Sequence, residues 1–186
     1  QLPDYGNPHL FAPYSQWALI REAQQQAAKD SGAGCIVTLG FGEVFDLHPP
    51  NKQGAGEAVA QVAIARLEGK EMPSGPQLTS MEFDGKSLLL EFERSALPEK
   101  GSLIHGFAVA GGDGKVFPAR AEVINTTTLA VSSPYVPEPE SVWYAWADNP
   151  ALADFRGANG IAASPFRATL NQKTGAAFGL NVVHVE

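Results

Sequence analysis

The chain has 186 residues, enough for one large domain or for a small domain joined to part of another. Hydrophobic residues make up 44% of it, which rules out wholesale disorder, and 19 Gly and 14 Pro favour turn-rich β structure in part of the chain. The net charge of −7 argues against nucleic-acid and anionic-membrane partners, both of which need clustered Lys and Arg.

Residues 1–16 are rich in Pro, Tyr, Gly and Asn and read as an irregular lead-in, with Ser15 placed as a helix N-cap. Trp17–Ala28 is predicted helical: it is rich in helix formers, and Trp17, Ile20, Ala23 and Ala27 recur at helical spacing. Arg21 and Glu22 on it read as a helix-face or inter-element polar contact. The run Cys35–Leu39, bounded by glycines, predicts a strand buried on both faces, as in a parallel sheet. Cys35 is the single cysteine, so it forms no internal disulfide, and it reads as a small buried hydrophobe. A loop over 40–51 holds Asp46, His48, Pro49 and Pro50. A second helix is predicted over Gly54–Leu67, with Gly69 as a helix C-terminal residue.

The texture changes near residue 71, where Met72-Pro73-Ser74-Gly75-Pro76 resembles a linker. Short β-rich runs follow: Gln77–Phe83, Lys86–Glu93, Ile104–Ala110, Ala121–Asn125, Thr128–Ser132 and Ser141–Ala147. Turn signals such as Asp84-Gly85 and Gly111-Gly112-Asp113-Gly114 separate them. The pattern predicts an antiparallel β-sandwich ending near Thr169. Residues 171–186 read as a last strand or a tail. The expected division is therefore residues 1–70, residues 71–170 and residues 171–186. No run is long and apolar enough for membrane insertion.

The sharpest chemical feature is Asp46-Leu47-His48-Pro49. A serine hydrolase needs an imidazole to carry the serine proton and an acid to fix its tautomer and stabilise the imidazolium. Residues two apart in an extended segment project to the same side, so Asp46 and His48 can touch. The prolines that follow stiffen the loop. On spacing alone the signal is weak, because Asp-x-His is common on surface loops.

The surroundings add to it. Trp17–Gln24, Gly34–Thr38 and above all Asp46-Leu47-His48-Pro49-Pro50-Asn51-Lys52-Gln53 resemble the C-terminal part of the hydrolase domain in the sialate O-acetylesterase family, whose pattern is Asp-Ile-His-Pro-x-Asn-Lys-Gln. Tyr144-Ala145-Trp146-Ala147-Asp148-Asn149-Pro150 and Ala163-Ser164-Pro165-Phe166-Arg167 look like two further signatures of that family. The resemblance covers roughly residues 1–169. It implies an α/β chain: the C-terminal part of an SGNH-type α/β/α hydrolase domain followed by an antiparallel β-sandwich domain. It implies a carbohydrate O-acetylesterase in which His48 is the general base and Asp46 its orienting acid. The acetylated sugar would be sialic acid or a plant polysaccharide such as xylan or xyloglucan.

In that family the serine lies in an upstream Gly-Gln-Ser-Asn-type block, with the oxyanion-hole residues also upstream. None of those blocks is in this sequence. The expected partner is therefore an N-terminal segment or second chain carrying the nucleophilic serine and oxyanion hole, from a cleaved enzyme or a longer protein. A degenerate remnant is the third explanation. Family members often have an acidic residue where this chain has Gly40. An exported protein, periplasmic or secreted, is the expectation for such an esterase.

The remaining candidates have plainer readings. His9, His105 and His184 read as surface or core histidines, and no metal-ligand spacing or cofactor signature is present. Trp143 and Trp146 face opposite sides at strand alternation, so at least one packs in the core. Asp148 and Asn149 read as turn formers, Glu43 as solvated. Asn125-Thr126-Thr127 matches a glycosylation sequon that matters only in a eukaryotic secretory protein. The competing function is a non-catalytic carbohydrate-binding β-sandwich module.

Overall fold

The computed structural model describes residues 1–170 except Leu47, Pro49 and Ser95. Residues 171–186, expected as a tail or last strand, lie outside the described residues, as does His184. Two helices, α1 (Gln16–Ser31) and α2 (Lys52–Leu67), precede seven strands: β1 (Gln77–Phe83), β2 (Leu88–Glu93), β3 (Leu103–Ala110), β4 (Val116–Val123), β5 (Thr128–Ser132), β6 (Ser141–Tyr144) and β7 (Phe166–Thr169).

All seven strands belong to one antiparallel sheet in the order β1-β2-β5-β4-β3-β6-β7. The hairpins β3-β4 and β4-β5 form a meander, and β2 returns to the outer side of β5, a Greek-key arrangement. The sheet is nearly barrel-like, which is compatible with the expected sandwich. Its two edge strands, β1 and β7, approach one groove that α1 also lines. Alternation along β2 buries Leu88, Leu90 and Phe92 in a core shared with Met81, Phe107, Val109, Val123, Leu129, Val131 and Val142. Phe92, Phe107, Tyr144, Phe155 and Phe166 form a cluster of aromatic contacts at one end of it.

A bulge interrupts β3, where the pairing with β4 jumps between Ile104 and Phe107. Gly106 stands in it at φ +95°, and a Cβ there would lie 2.8 Å from the Ala153 Cα. Only glycine satisfies both demands.

The first 70 residues depart from expectation in one respect. No α/β/α layer is present among the described residues, and Cys35–Leu39 is not a strand. A strand buried on both faces needs hydrogen-bonded neighbours, and this segment has only part of one. The Gln1 amine donates to the Ile36 carbonyl at 2.9 Å, the Thr38 hydroxyl to the Gln1 carbonyl at 3.0 Å, and Tyr5 and Glu43 form an isolated parallel bridge. Residues 1–6 and 36–44 therefore run side by side in parallel without a regular ladder. Cys35 is half-buried.

The helices form where predicted. Ser15 caps α1, its hydroxyl accepting from the Ala18 N–H, and Gly32 ends it in the left-handed region. Asn51 caps α2 through Gly54 N–H. Their apolar residues face away from the β-sheet, however. Leu19 and Ile20 on α1 and Val59, Ile64 and Leu67 on α2 are exposed, Leu67 at 87%.

The two residues that α1 buries are Ala18 and Arg21. Arg21 is fully buried. Its Nε donates to the Leu2 carbonyl (2.9 Å), Nη1 to Ala147 (2.8 Å) and Nη2 to Pro3 (2.7 Å) and Asp148 (2.9 Å). Asp4 supplies the counter-charge at 3.7 Å. Burial pulls the guanidinium down to about 10, still far enough above neutral pH to keep it charged. The next residue, Glu22, takes a two-pronged ion pair from Arg167 on β7 (3.1 and 2.9 Å), and that guanidinium lies 4.8 Å over the buried Trp146 ring. Asp148 and Asn149 do more than turn the chain: Ser15 donates to the Asp148 carboxylate, and the Asn149 amide donates to the Gly6 carbonyl.

Truncating Arg21 removes four carbonyl partners and strands a buried carboxylate. Arg21→Ala should cost about 3–5 kcal/mol, read as a lower denaturant midpoint at unchanged m-value.

Candidate active site

Asp46 and His48 sit in the loop between the parallel pair and α2. The structure brings them together. The His48 amide N–H donates to Asp46 Oδ1 at 2.8 Å, and His48 Nδ1 lies 3.2 Å from the same oxygen. An aspartate that receives the backbone N–H two residues on makes an Asx turn, which sets the ring beside the carboxylate without distant scaffolding. In this arrangement the Nδ1–H tautomer donates to Asp46 and Nε2 is left as the base.

Both side chains are open, His48 82% exposed and Asp46 58%. Among the described residues the imidazole bonds only Asp46, and no serine hydroxyl reaches it. The His48 amide N–H, more than the ring, holds the Asp46 carboxyl below its ordinary value. The anionic form of Asp46 is thus favoured by the turn itself.

The loop is fastened just before the pair. Gly40 stands at φ +85°, and its N–H donates to the Asp4 carboxylate. A carboxylate from Asp4 thus stands beside the Gly40 backbone. Gly42 lies against the backbone of Asp4, Tyr5 bridges to Glu43, and the Gly6 N–H donates to the Val44 carbonyl at 3.1 Å. Phe45, next in sequence to Asp46, is 93% exposed. Glu43, read as solvated, is exposed and takes part in the bridge through its backbone.

A second acid–histidine pair has no sequence signal, because its members are 49 residues apart. The bulge at Gly106 turns His105 outward, where its N–H and Nδ1 each lie 2.7 Å from an Asp154 carboxylate oxygen. This exposed pair ties β3 to the 150–155 turn; of the surface and core readings of His105, the structure shows the surface one. His9 is exposed, with its backbone N–H on the Asn149 carbonyl. Trp146 is core and Trp143 is half-buried with its ring edge-on to Phe11. The described residues contain no cluster of three or more His, Cys, Asp or Glu that could hold a metal ion, and no described helix is long and apolar enough to cross a membrane.

Comparison with solved structures adds one neighbour of known activity. The crystal structure of a novel carbohydrate acetylesterase from Xanthomonas citri superposes with a TM-score of 0.78 at 31% sequence identity, over 90% of this chain. The chain spans 39% of that protein's chain, so well over half of the neighbour has no counterpart here. No protein-family model matches the sequence, and no curated protein does.

The Asx-turn geometry predicts the titration of Asp46. Its carboxyl carbon, followed by NMR, should titrate below 3.8, the ordinary aspartate value. Replacing His48 by proline removes the dominant donor and should return that midpoint toward 3.8.

Proposed function

We propose that this chain is the acid–base portion of a serine carbohydrate O-acetylesterase. The observation that carries the reading is the Asp46–His48 contact, in a chain 31% identical to a carbohydrate acetylesterase across nearly its whole length. A serine on another segment or a second polypeptide attacks the acetyl carbonyl of an acetylated sugar. His48 Nε2 takes the serine proton and returns it to the departing sugar oxygen. Water, activated by the same nitrogen, then releases acetate from the acyl-enzyme, while Asp46 stabilises the imidazolium. The sugar is proposed as sialic acid or a plant polysaccharide such as xylan or xyloglucan, the protein as an exported one.

Three features support a complementing serine-bearing segment. The parallel pair at residues 1–6 and 36–44 is an unfinished ladder, and parallel sheets are stable when flanked on both sides. Leu19, Ile20, Val59, Ile64 and Leu67 present apolar helix surface to solvent. His48 is open on the side where a nucleophile must approach. A second polypeptide strand and helix layer would answer all three.

In the protein assembled with that segment, His48→Ala should abolish acetate release from acetylated xylan fragments, acetylated sialic acid and a small aryl acetate alike. Asp46→Asn should lower kcat by about 10⁴-fold. Near-normal turnover by His48→Ala would sink the assignment. Purification of this chain by an affinity tag, followed by mass spectrometry, should recover a serine-bearing polypeptide in equal amount or joined upstream; hydrolysis by this chain alone would overturn the two-part active site.

A further inference from the structure

The position of His48 depends on a buried carboxylate that never touches it. From Gly40 to Val44 the loop is fastened to residues 4–6 at successive points, and the first of them is the Asp4 side chain. Asp4 Oδ2 accepts the Gly40 N–H, while Oδ1 has no hydrogen-bond partner and faces Arg21 at 3.7 Å. Gly42 is pressed onto the same residue: a Cβ there would lie 1.9 Å from the Asp4 carbonyl oxygen and 2.6 Å from its nitrogen. Among the described residues no backbone hydrogen bond joins the loop to residues 1–6 after the Val44 carbonyl, and Asp46 follows two residues later.

A carboxylate is an expensive way to hold one N–H. Asp4 is buried, and desolvation raises its carboxyl above the ordinary value despite the Gly40 bond and Arg21. Asparagine would accept the same N–H with its amide oxygen. What asparagine lacks is a charge for Arg21, whose own direction is fixed by carbonyls of Leu2, Pro3, Ala147 and Asp148. The charge pair therefore fixes Asp4 relative to α1 and the 147–148 turn, and through Gly40 it fixes the loop.

We propose that Asp4, oriented by Arg21, is a positioning residue for the His48 loop: it sets where the imidazole stands relative to an incoming nucleophile. The proposal rests on the esterase reading of Asp46 and His48. A displacement of about 1 Å at a base can cost on the order of 10²-fold in rate while leaving substrate affinity alone. The signature is thus a fall in kcat with KM unchanged, and a loss of order confined to one loop.

The test uses the protein assembled with its serine-bearing segment, a small aryl acetate, and hydrogen exchange by mass spectrometry. Asp4→Asn should lower kcat by about 10–100-fold with KM within about twofold. Exchange should quicken over residues 38–46 and stay at the parental rate in β2, β3 and β5. Gly42→Ala, which pushes the loop off Asp4 without altering any charge, should reproduce both effects, and it decides the matter if Asp4→Asn does not fold. Parental kcat in either folded variant, or exchange that quickens throughout the sheet, overturns the proposal and leaves Asp4 a general stabiliser. Full activity of His48→Ala is a different failure: it removes the esterase reading itself, whatever the Asp4 variants do.

Discussion

A guanidinium with no access to water must have every N–H answered and its charge balanced, or it unfolds what surrounds it. Arg21 comes close to that demand: four of its five N–H groups meet carbonyls of Leu2, Pro3, Ala147 and Asp148, and the Asp4 carboxylate at 3.7 Å balances its charge. The rest of the N-terminal region is arranged around this one group. It explains why α1 turns Arg21 inward and leaves Leu19 and Ile20 outside. It keeps residues 1–6 straight enough to accompany residues 36–44. Through Asp4 it reaches the loop that ends in Asp46 and His48. The Glu22–Arg167 pair beside it makes the same bond between helix and sheet a second time, with the Trp146 ring as floor.

The site follows from this in two steps of different character. The contact between Asp46 and His48 is local, made by an Asx turn that any chain with this spacing can adopt. Its placement is not local: it belongs to Gly40, Gly42 and the residues they rest on. In the proposed esterase, tautomer and position of the imidazole would thus rest with separate residues. The likeness to a carbohydrate acetylesterase covers 90% of the chain, more than the sheet alone.

Much of this was legible in the residues, for reasons that can be named. The strands Gln77–Phe83 and Thr128–Ser132 form where alternation and turn residues place them, and Ser15 caps α1 as its hydroxyl suggests. The Asp46–His48 contact was legible because two-residue spacing is a local rule. Three things were not. Cys35–Leu39 has the composition of a buried parallel strand, but pairing depends on neighbours that composition cannot supply. Arg21 reads as a helix-face or inter-element polar contact, but its partners, up to 127 residues away, and its complete burial do not show in the local pattern. The pairing of His105 with Asp154 depends on the bulge at Gly106, whose extra residue shows only in the register of β3 against β4.

The spacing of the Arg21 partners also dictates an order of events. Two of its carbonyls belong to residues 19 and 18 positions upstream, but Ala147 and Asp148 lie 126 and 127 residues downstream. Contacts of that separation require closure of a long loop and come late in folding. During vectorial synthesis α1 therefore emerges, and acquires its cap, long before the guanidinium has its full complement of acceptors. Until β6 has been made and the 147–148 turn folds back, the loop bearing His48 has no fixed foundation. The His48 loop is thus among the last parts of this chain to be set in place, although it is translated well before the turn it depends on.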